Sequence, residues 1–184
     1  STISGQKTFK SAITISGTCT FTSATKKITA SGTSLSDLSV RDLITVSGSA
    51  SNNSTFTISE VDANGTFVIV EEDITSETVS ADTVLTYVGF VTAKVKGDGY
   101  YSQTDGLHTV AYHVNATCTG SLKMQGSLAT TPTEDDFFDI DGTTFTTDQS
   151  TTINSVNFTG NFVWVRAKLT ANTAGSVTKI LFNN

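Results

Sequence analysis

Apolar and polar positions alternate with a period of two along most of this chain, and no apolar pattern keeps helical spacing for more than two turns. Alternation of this kind is typical of β-strands that bury one face. The one segment with helical character is 34–43, where Ser36 or Asp37 could cap a short helical turn. The sequence therefore predicts an all-β protein.

Short strands are predicted throughout the first half of the chain. They cover residues 18–22, 27–30, 43–46, a segment around Phe56 and Ile58, 67–70 and 83–88. Asn64-Gly65 predicts a type I′ hairpin turn, because both residues tolerate positive φ angles. These strands indicate a small β-barrel or β-sandwich module.

The second half continues the pattern, with turn residues every eight to twelve positions. Strands are predicted at 90–95, 109–115, 121–127, 137–140, 143–147, 152–158, 162–169 and 176–182. Asp141-Gly142 supplies a further hairpin turn, and a Gly-rich loop at 97–106 carries Tyr100 and Tyr101. This spacing is typical of a β-sandwich or jelly roll.

The length of 184 residues fits one large sandwich or two smaller modules. We favour two, an N-terminal β module at 1–88 and a C-terminal β-sandwich at 89–184, with the junction at 88–90. The two cysteines, Cys19 and Cys118, lie one in each half. A disulfide would require the halves to touch there, so two small buried thiols are the preferred interpretation and a bond is the alternative.

The clearest strand, 162–169, has one uniformly apolar face and one mixed face. The mixed face carries Phe162, Trp164, Arg166 and Lys168. Together with the loop residues Tyr100 and Tyr101, these side chains form the candidate interaction surface. For the mixed face of the strand, however, we favour an ordinary outer face under a neighbouring loop over a partner surface, since Trp is often partly buried and long cations often lie over aromatic rings.

Catalytic chemistry is not indicated, and we expect neither an enzyme, a cofactor nor a metal. The chain lacks the usual nucleophile, zinc and phosphate-binding motifs. His108 and His113, five residues apart on one strand, point to opposite faces and cannot share a metal. The acidic loop could bind calcium through two of its carboxylates, but solvated acidic loops are commoner and its spacing matches no EF-hand. That loop contains Glu134, Asp135, Asp136, Asp139 and Asp141.

Charge limits the partners. The formal net charge is −6, and the eleven Lys and Arg residues are scattered. Binding to nucleic acid is therefore not expected, because it requires clustered cations. No apolar stretch approaches the roughly 20 residues of a membrane-spanning helix, and residues 1–10 lack the apolar region of a signal peptide.

Four segments carry distinctive strand and turn motifs, at 42–58, 120–128, 160–168 and 175–182. The first, with its polar loop Ser47-Gly48-Ser49 to Asn53, resembles a small β module of tailed-phage virion proteins, although Ser54 occupies a place where Gly is common. The segments 120–128, 160–168 and 175–182 are similar to a second phage sandwich module. The resemblance implies a structural role at the virion surface, contacts with other virion proteins and no catalytic residues.

Three functions remain open at this point. The leading hypothesis is a capsid decoration or cement protein that contacts capsid subunits as a homo-oligomer, with a trimer suggested by the resemblance alone. A tail or fibre component, with a glycan-binding tip built from loop aromatics, is the alternative within virions. An extracellular adhesin or carbohydrate-binding module is the alternative of another class.

Overall fold

The computed structural model describes every residue except Ala81 and Thr104. It is all-β, as the alternation predicts. The strands of the described residues are, in chain order, β1 (Thr2–Ser4), β2 (Lys7–Thr8), β3 (Ile13–Ile15), β4 (Cys19–Thr22), β5 (Lys27–Ala30), β6 (Asp42–Ser47), β7 (Thr55–Val61), β8 (Phe67–Val70), β9 (Glu77–Val79), β10 (Thr83–Val91), β11 (Val95–Lys96), β12 (Leu107–Val114), β13 (Ser121–Ser127), β14 (Phe138–Asp139), β15 (Phe145–Thr146), β16 (Ile153–Thr159), β17 (Trp164–Thr170) and β18 (Ser176–Asn183).

Helical structure is limited to short 3₁₀ turns within the part of the chain that the structure describes. These turns are Ser23–Thr25, Asp98–Tyr101 and Glu134–Asp136. The helical turn expected at 34–43 is wrong: Leu38 N–H donates to the Leu35 carbonyl and Asp42 N–H to that of Ser39, which gives two isolated turns. No helix among the described residues has the length and apolarity to span a membrane.

Contacts between residues divide the chain into two compact units. The N-terminal unit is Lys10–Phe90, and the C-terminal unit combines Ser1–Phe9 with Val91–Asn184. The first residues join the C-terminal unit because β1 and β2 both pair antiparallel with β18. Pairing between distant parts of a chain leaves no local pattern, so the sequence did not predict it. Independent folding of 1–88 and 89–184 stays a prediction.

The N-terminal unit is built on one antiparallel path of strands. The order is β3–β10–β6–β7–β8–β5–β4–β9, with two ends and no closure into a barrel. Its core consists of alternate residues from these strands, including Phe21, Ile28, Ile44, Ile58 and Leu85. Burial of every second side chain is what the period of two requires.

Glycines shape two irregularities of this unit. The hairpin at Asn64-Gly65 joins β7 to β8 as expected, but only Gly65 has a positive φ, +68°, so the connection is not a type I′ turn. Gly89, expected to separate two strands, instead lies inside β10 at a register shift with φ +153°. A bulge of this kind lets one strand continue through an apparent break.

The C-terminal unit contains two antiparallel sheets that share a core, a sandwich-like arrangement. In the first sheet, β12 lies between β16 and β18, and β1 and β2 complete the far side of β18. In the second, β13 pairs with β17 on one side and with β14 and β15 on the other, while β11 pairs with β17. Side chains such as Tyr112 from the first sheet and Phe145 from the second stack with ring centroids 6.3 Å apart.

Two sequence expectations in this unit need correction. Asp141-Gly142 does not connect a hairpin, because β14 and β15 both pair with β13 and form one interrupted edge strand. The strand expected at 162–169 begins at Trp164. Cys19 and Cys118 are both buried and free, and burial raises the pKa of each thiol, that of Cys19 to about 11.

Candidate functional site

The Gly-rich loop after β11 is held tightly against the chain segment that precedes β17. Gly97 N–H donates to the Val163 carbonyl at 3.0 Å, and Gly99 N–H donates to the Phe162 carbonyl at 2.9 Å. A Cβ atom at Gly99 would lie 2.3 Å from the carbonyl oxygen of Asn161. Only glycine allows this approach, and it brings the following 3₁₀ turn beside the start of β17.

That turn presents two tyrosines next to the single tryptophan. Tyr100 and Tyr101 are 45% and 54% exposed. The Tyr100 ring lies edge-on to both Tyr101 and Trp164, with centroid separations of 5.3 Å in each case. The Trp164 indole N–H donates to the Thr130 carbonyl at 3.0 Å. The indole orientation is therefore fixed, while the tyrosine rings remain accessible.

Two lysines complete the cluster. Lys94 Nζ lies 5.0 Å from the Trp164 ring centroid, and Lys96 Nζ lies 4.1 Å from that of Tyr100 and 5.7 Å from that of Tyr101. Within the described residues neither lysine has an ion-pair partner. We call Lys94, Lys96, Tyr100, Tyr101 and Trp164 the aromatic–lysine cluster. Four of its members line a surface pocket of about 390 Å³.

Arg166, expected on the same surface, lies in the interior. It is 5% exposed, and its Nη1 and Nη2 donate to the two carboxylate oxygens of Glu134 at 2.8 and 2.7 Å. Its Nε donates to Gln125 Oε1 at 2.9 Å, and its Cζ lies 3.8 Å from the Phe137 ring centroid. These three hydrogen bonds and the ring contact are all made within the protein, so Arg166 has a structural role.

Phe162 is also an interior residue, 9% exposed. Its ring packs against two glycines. A Cβ atom added to Gly126 would lie 2.6 Å from the Phe162 ring, and one added to Gly160 would lie 2.4 Å from it. The ring centroid of His108 is 6.0 Å away. Lys168, half-buried, lies farther along β17 opposite Lys123. The structure thus brings together Tyr100, Tyr101 and Trp164, and it places the other three candidates elsewhere.

Lys94 and Lys96 were not among the site residues predicted from the sequence. Their spacing is a signal in the sequence, because residues two apart on extended chain lie on the same side, and the pair comes just before the Gly-rich loop. Their importance depends on that loop folding back beside β17, which no local pattern indicates.

The acidic loop is tied to the protein rather than arranged as a cage. Glu134 binds Arg166, and Asp136 accepts hydrogen bonds from the backbone and hydroxyl of Thr133, which lower its pKa. Partial burial acts to raise the pKa of Asp139. The hydrogen bonds from Lys123 and Gln125 and the positive charge of Lys123 outweigh this effect, so the pKa is lowered. Among the described residues no three His, Cys, Asp or Glu side chains are placed to share a metal ion.

The histidines point to opposite faces of β12, as predicted. His108 is fully buried, with Nε2 3.0 Å from the Gly160 carbonyl and its ring stacked on Phe182 at 5.6 Å. His113 is half-buried on the other face, and its pKa is lowered by burial and by the charge of Lys179. Neither histidine is part of the aromatic–lysine cluster.

Comparison with known proteins does not extend the assignment. No protein-family model matches the chain, and no curated protein sequence matches it. The resemblance to phage virion proteins therefore remains a prediction from the motifs.

Proposed function

We propose that this chain is a non-enzymatic structural protein of a virion surface, which decorates a capsid and binds capsid subunits through the aromatic–lysine cluster. The observation that carries the proposal is the exposure of this preformed cluster. The phage-like motifs in both halves and the all-β fold are consistent with it.

The chemistry of the cluster suits a protein partner. Tyr and Trp supply large contact areas at little cost in side-chain entropy and are enriched where interfaces bind most strongly. Lys94 and Lys96 lie over the rings without carboxylate partners among the described residues, so an acidic group of the partner can pair with them. A partner with a carboxylate near an apolar side chain would use both properties.

The test is to add the purified chain to heads that lack it and to measure occupancy and heat resistance. Saturable binding and more heat-resistant heads are expected, and Tyr101→Ala with Lys96→Ala should lower occupancy at least about tenfold. Lys179→Ala, at an exposed lysine of β18, is the matched control and should bind normally. Absence of binding to heads, or binding that ignores the cluster variants, contradicts the proposal.

A second candidate function is glycan binding, as in a tail or fibre component or an extracellular carbohydrate-binding module. The specific observation is the pocket of about 390 Å³, which has Tyr101 and Trp164 in its walls beside two lysines. Aromatic faces can stack on sugar rings, and the lysines would favour acidic sugars. Retention on immobilised acidic polysaccharide that Tyr101→Ala abolishes, together with no affinity for heads, would transfer the assignment to this function.

A further inference from the structure

Strand β16 forms the outer edge of the first sheet of the C-terminal unit, and its inner side is fully paired with β12. Val114 N–H donates to the Thr152 carbonyl and Gly160 N–H to that of Gly106, each at 2.9 Å. Even-numbered residues of β16 therefore direct their backbone groups at β12. The backbone groups of the odd-numbered residues point outward, and in the described chain no backbone hydrogen bond reaches their amides; these residues are Ile153, Ser155, Asn157 and Thr159.

This edge lacks the features that usually prevent strand pairing. Residues 149–165 contain no charged side chain and no proline. The register of β16 with β12 is regular over seven consecutive pairs, without a bulge. Natural proteins protect edge strands with charges, prolines, bulges or very short strands, and β16 shows none of these. An open edge of this length is a site for strand addition.

We propose that the β16 edge binds the β16 edge of a second copy of this chain, antiparallel about a two-fold axis at Val156. In this register Ile153 faces Thr159 of the second copy, and Ser155 faces Asn157. All four outward residues then form hydrogen-bonded pairs, which gives about eight backbone bonds between the copies. The self-pairing leaves none of the outward groups unsatisfied.

The side chains favour a second copy as the occupant. On the outer face, Ile153 of β16 is 57% exposed. Leu107 of β12, which pairs with Thr159 of β16, is 52% exposed. The proposed register places Ile153 of one copy across from Thr159 of the other, so that Ile153 and Leu107 flank Thr159 in one row. Symmetry repeats this row at the other end of the edge. Cross-strand contacts of this kind stabilise sheets.

Charge supports the same occupant. The chain carries a net charge of −6, which opposes close association of its copies in general. The β16 edge itself carries no charge. On the other face, Val156 meets Val156 of the second copy in a non-hydrogen-bonded pair, where side chains approach most closely. The inference does not depend on the virion proposal, and it predicts two-fold pairing rather than a trimer.

Sedimentation of the whole chain over a range of concentrations tests the proposal. The wild type is expected to be a reversible dimer. Ser155→Lys combined with Asn157→Lys places like charges opposite each other and should weaken the dimer at least about tenfold. Thr178→Lys, at an exposed position of β18, is the matched control and should dimerise normally.

A charge-reversal variant tests the register itself. Ser155→Lys combined with Asn157→Glu places opposite charges across both pairs, and we expect dimerisation to return. Unchanged circular dichroism would show that each variant is folded. A wild type that stays monomeric at every concentration, or an oligomer that ignores these substitutions, would overturn the proposal.

Discussion

Two cation–aromatic contacts in the C-terminal unit have similar distances to the ring centroid and different surroundings. Arg166 Cζ lies 3.8 Å from the Phe137 ring centroid, and Lys96 Nζ lies 4.1 Å from that of Tyr100. Arg166 is buried and bound to Glu134 and Gln125, whereas Lys96 is exposed and has no ion-pair partner among the described residues. The contact distance alone therefore does not distinguish a structural cation from one that is free to bind a partner.

The difference arises from the loops that cover each cation. The Thr133 N–H and hydroxyl both bind the Asp136 carboxylate, which caps the 3₁₀ turn that begins at Glu134 and places Glu134 over Arg166. The turn beside Lys96 also contains an acidic residue, Asp98, but its carboxylate is buried and forms no ion pair with Lys96. This turn presents the uncharged rings of Tyr100 and Tyr101 to the lysine instead. An acidic loop completes an ion pair, and an aromatic loop leaves the lysine for an outside partner.

The largest expected effect follows from breaking the buried pair. Arg166→Met should lower the free energy of unfolding by about 3 kcal/mol, because it leaves the partly buried carboxylate of Glu134 without its partner. Lys96→Met, the matched substitution at the exposed contact, should change it by less than about 0.5 kcal/mol. Urea unfolding of the variants measures both values.

A double variant sharpens this prediction. Arg166→Met combined with Glu134→Gln removes the unpaired charge, so it should recover part of the lost stability. Equal losses in the single and double variants would mean that packing on Phe137, rather than the ion pair, accounts for the effect of Arg166.

The sequence predicted which residues share a side of β17 but not which of them are exposed. Period-two alternation places Trp164, Arg166 and Lys168 on one side of β17, although only Trp164 belongs to the aromatic–lysine cluster. Exposure depends on what covers that side, and the cover comes from the Thr130 carbonyl and Glu134, more than thirty positions earlier in the chain. The strands could therefore be predicted from local patterns, whereas the division into interior and surface residues required the fold.

An intermediate effect is expected at Trp164, which takes part in both packing and the exposed cluster. Trp164→Leu should lower the free energy of unfolding by about 1 kcal/mol, since the hydrogen bond to Thr130 and the contact with Tyr100 are lost. Tyr101→Leu, at the more exposed ring, should change stability by less than about 0.5 kcal/mol. If the Tyr101 variant were as destabilised as the Trp164 variant, the loop tyrosines would belong to the structural core of the unit rather than to a free surface.

The smallest expected effect is the response of the acidic loop to pH. Hydrogen bonds from Thr133 lower the pKa of Asp136 in the folded chain below its value in the unfolded chain. A group of this kind stabilises the fold above its unfolded pKa, near 3.9, and loses that contribution as pH falls through the folded pKa. Asp136→Asn should therefore be slightly less stable than the wild type at neutral pH, and the difference should shrink as the pH falls below about 4. Unfolding in urea at a series of pH values measures this difference.

Asp135→Asn, on the same turn, is the control, because the structure shows no hydrogen bond to the Asp135 carboxylate from any described residue. Asp135→Asn should be about as stable as the wild type at neutral pH, and a pH-independent difference for Asp136→Asn would contradict the role of the Thr133 hydrogen bonds in holding Glu134 over Arg166.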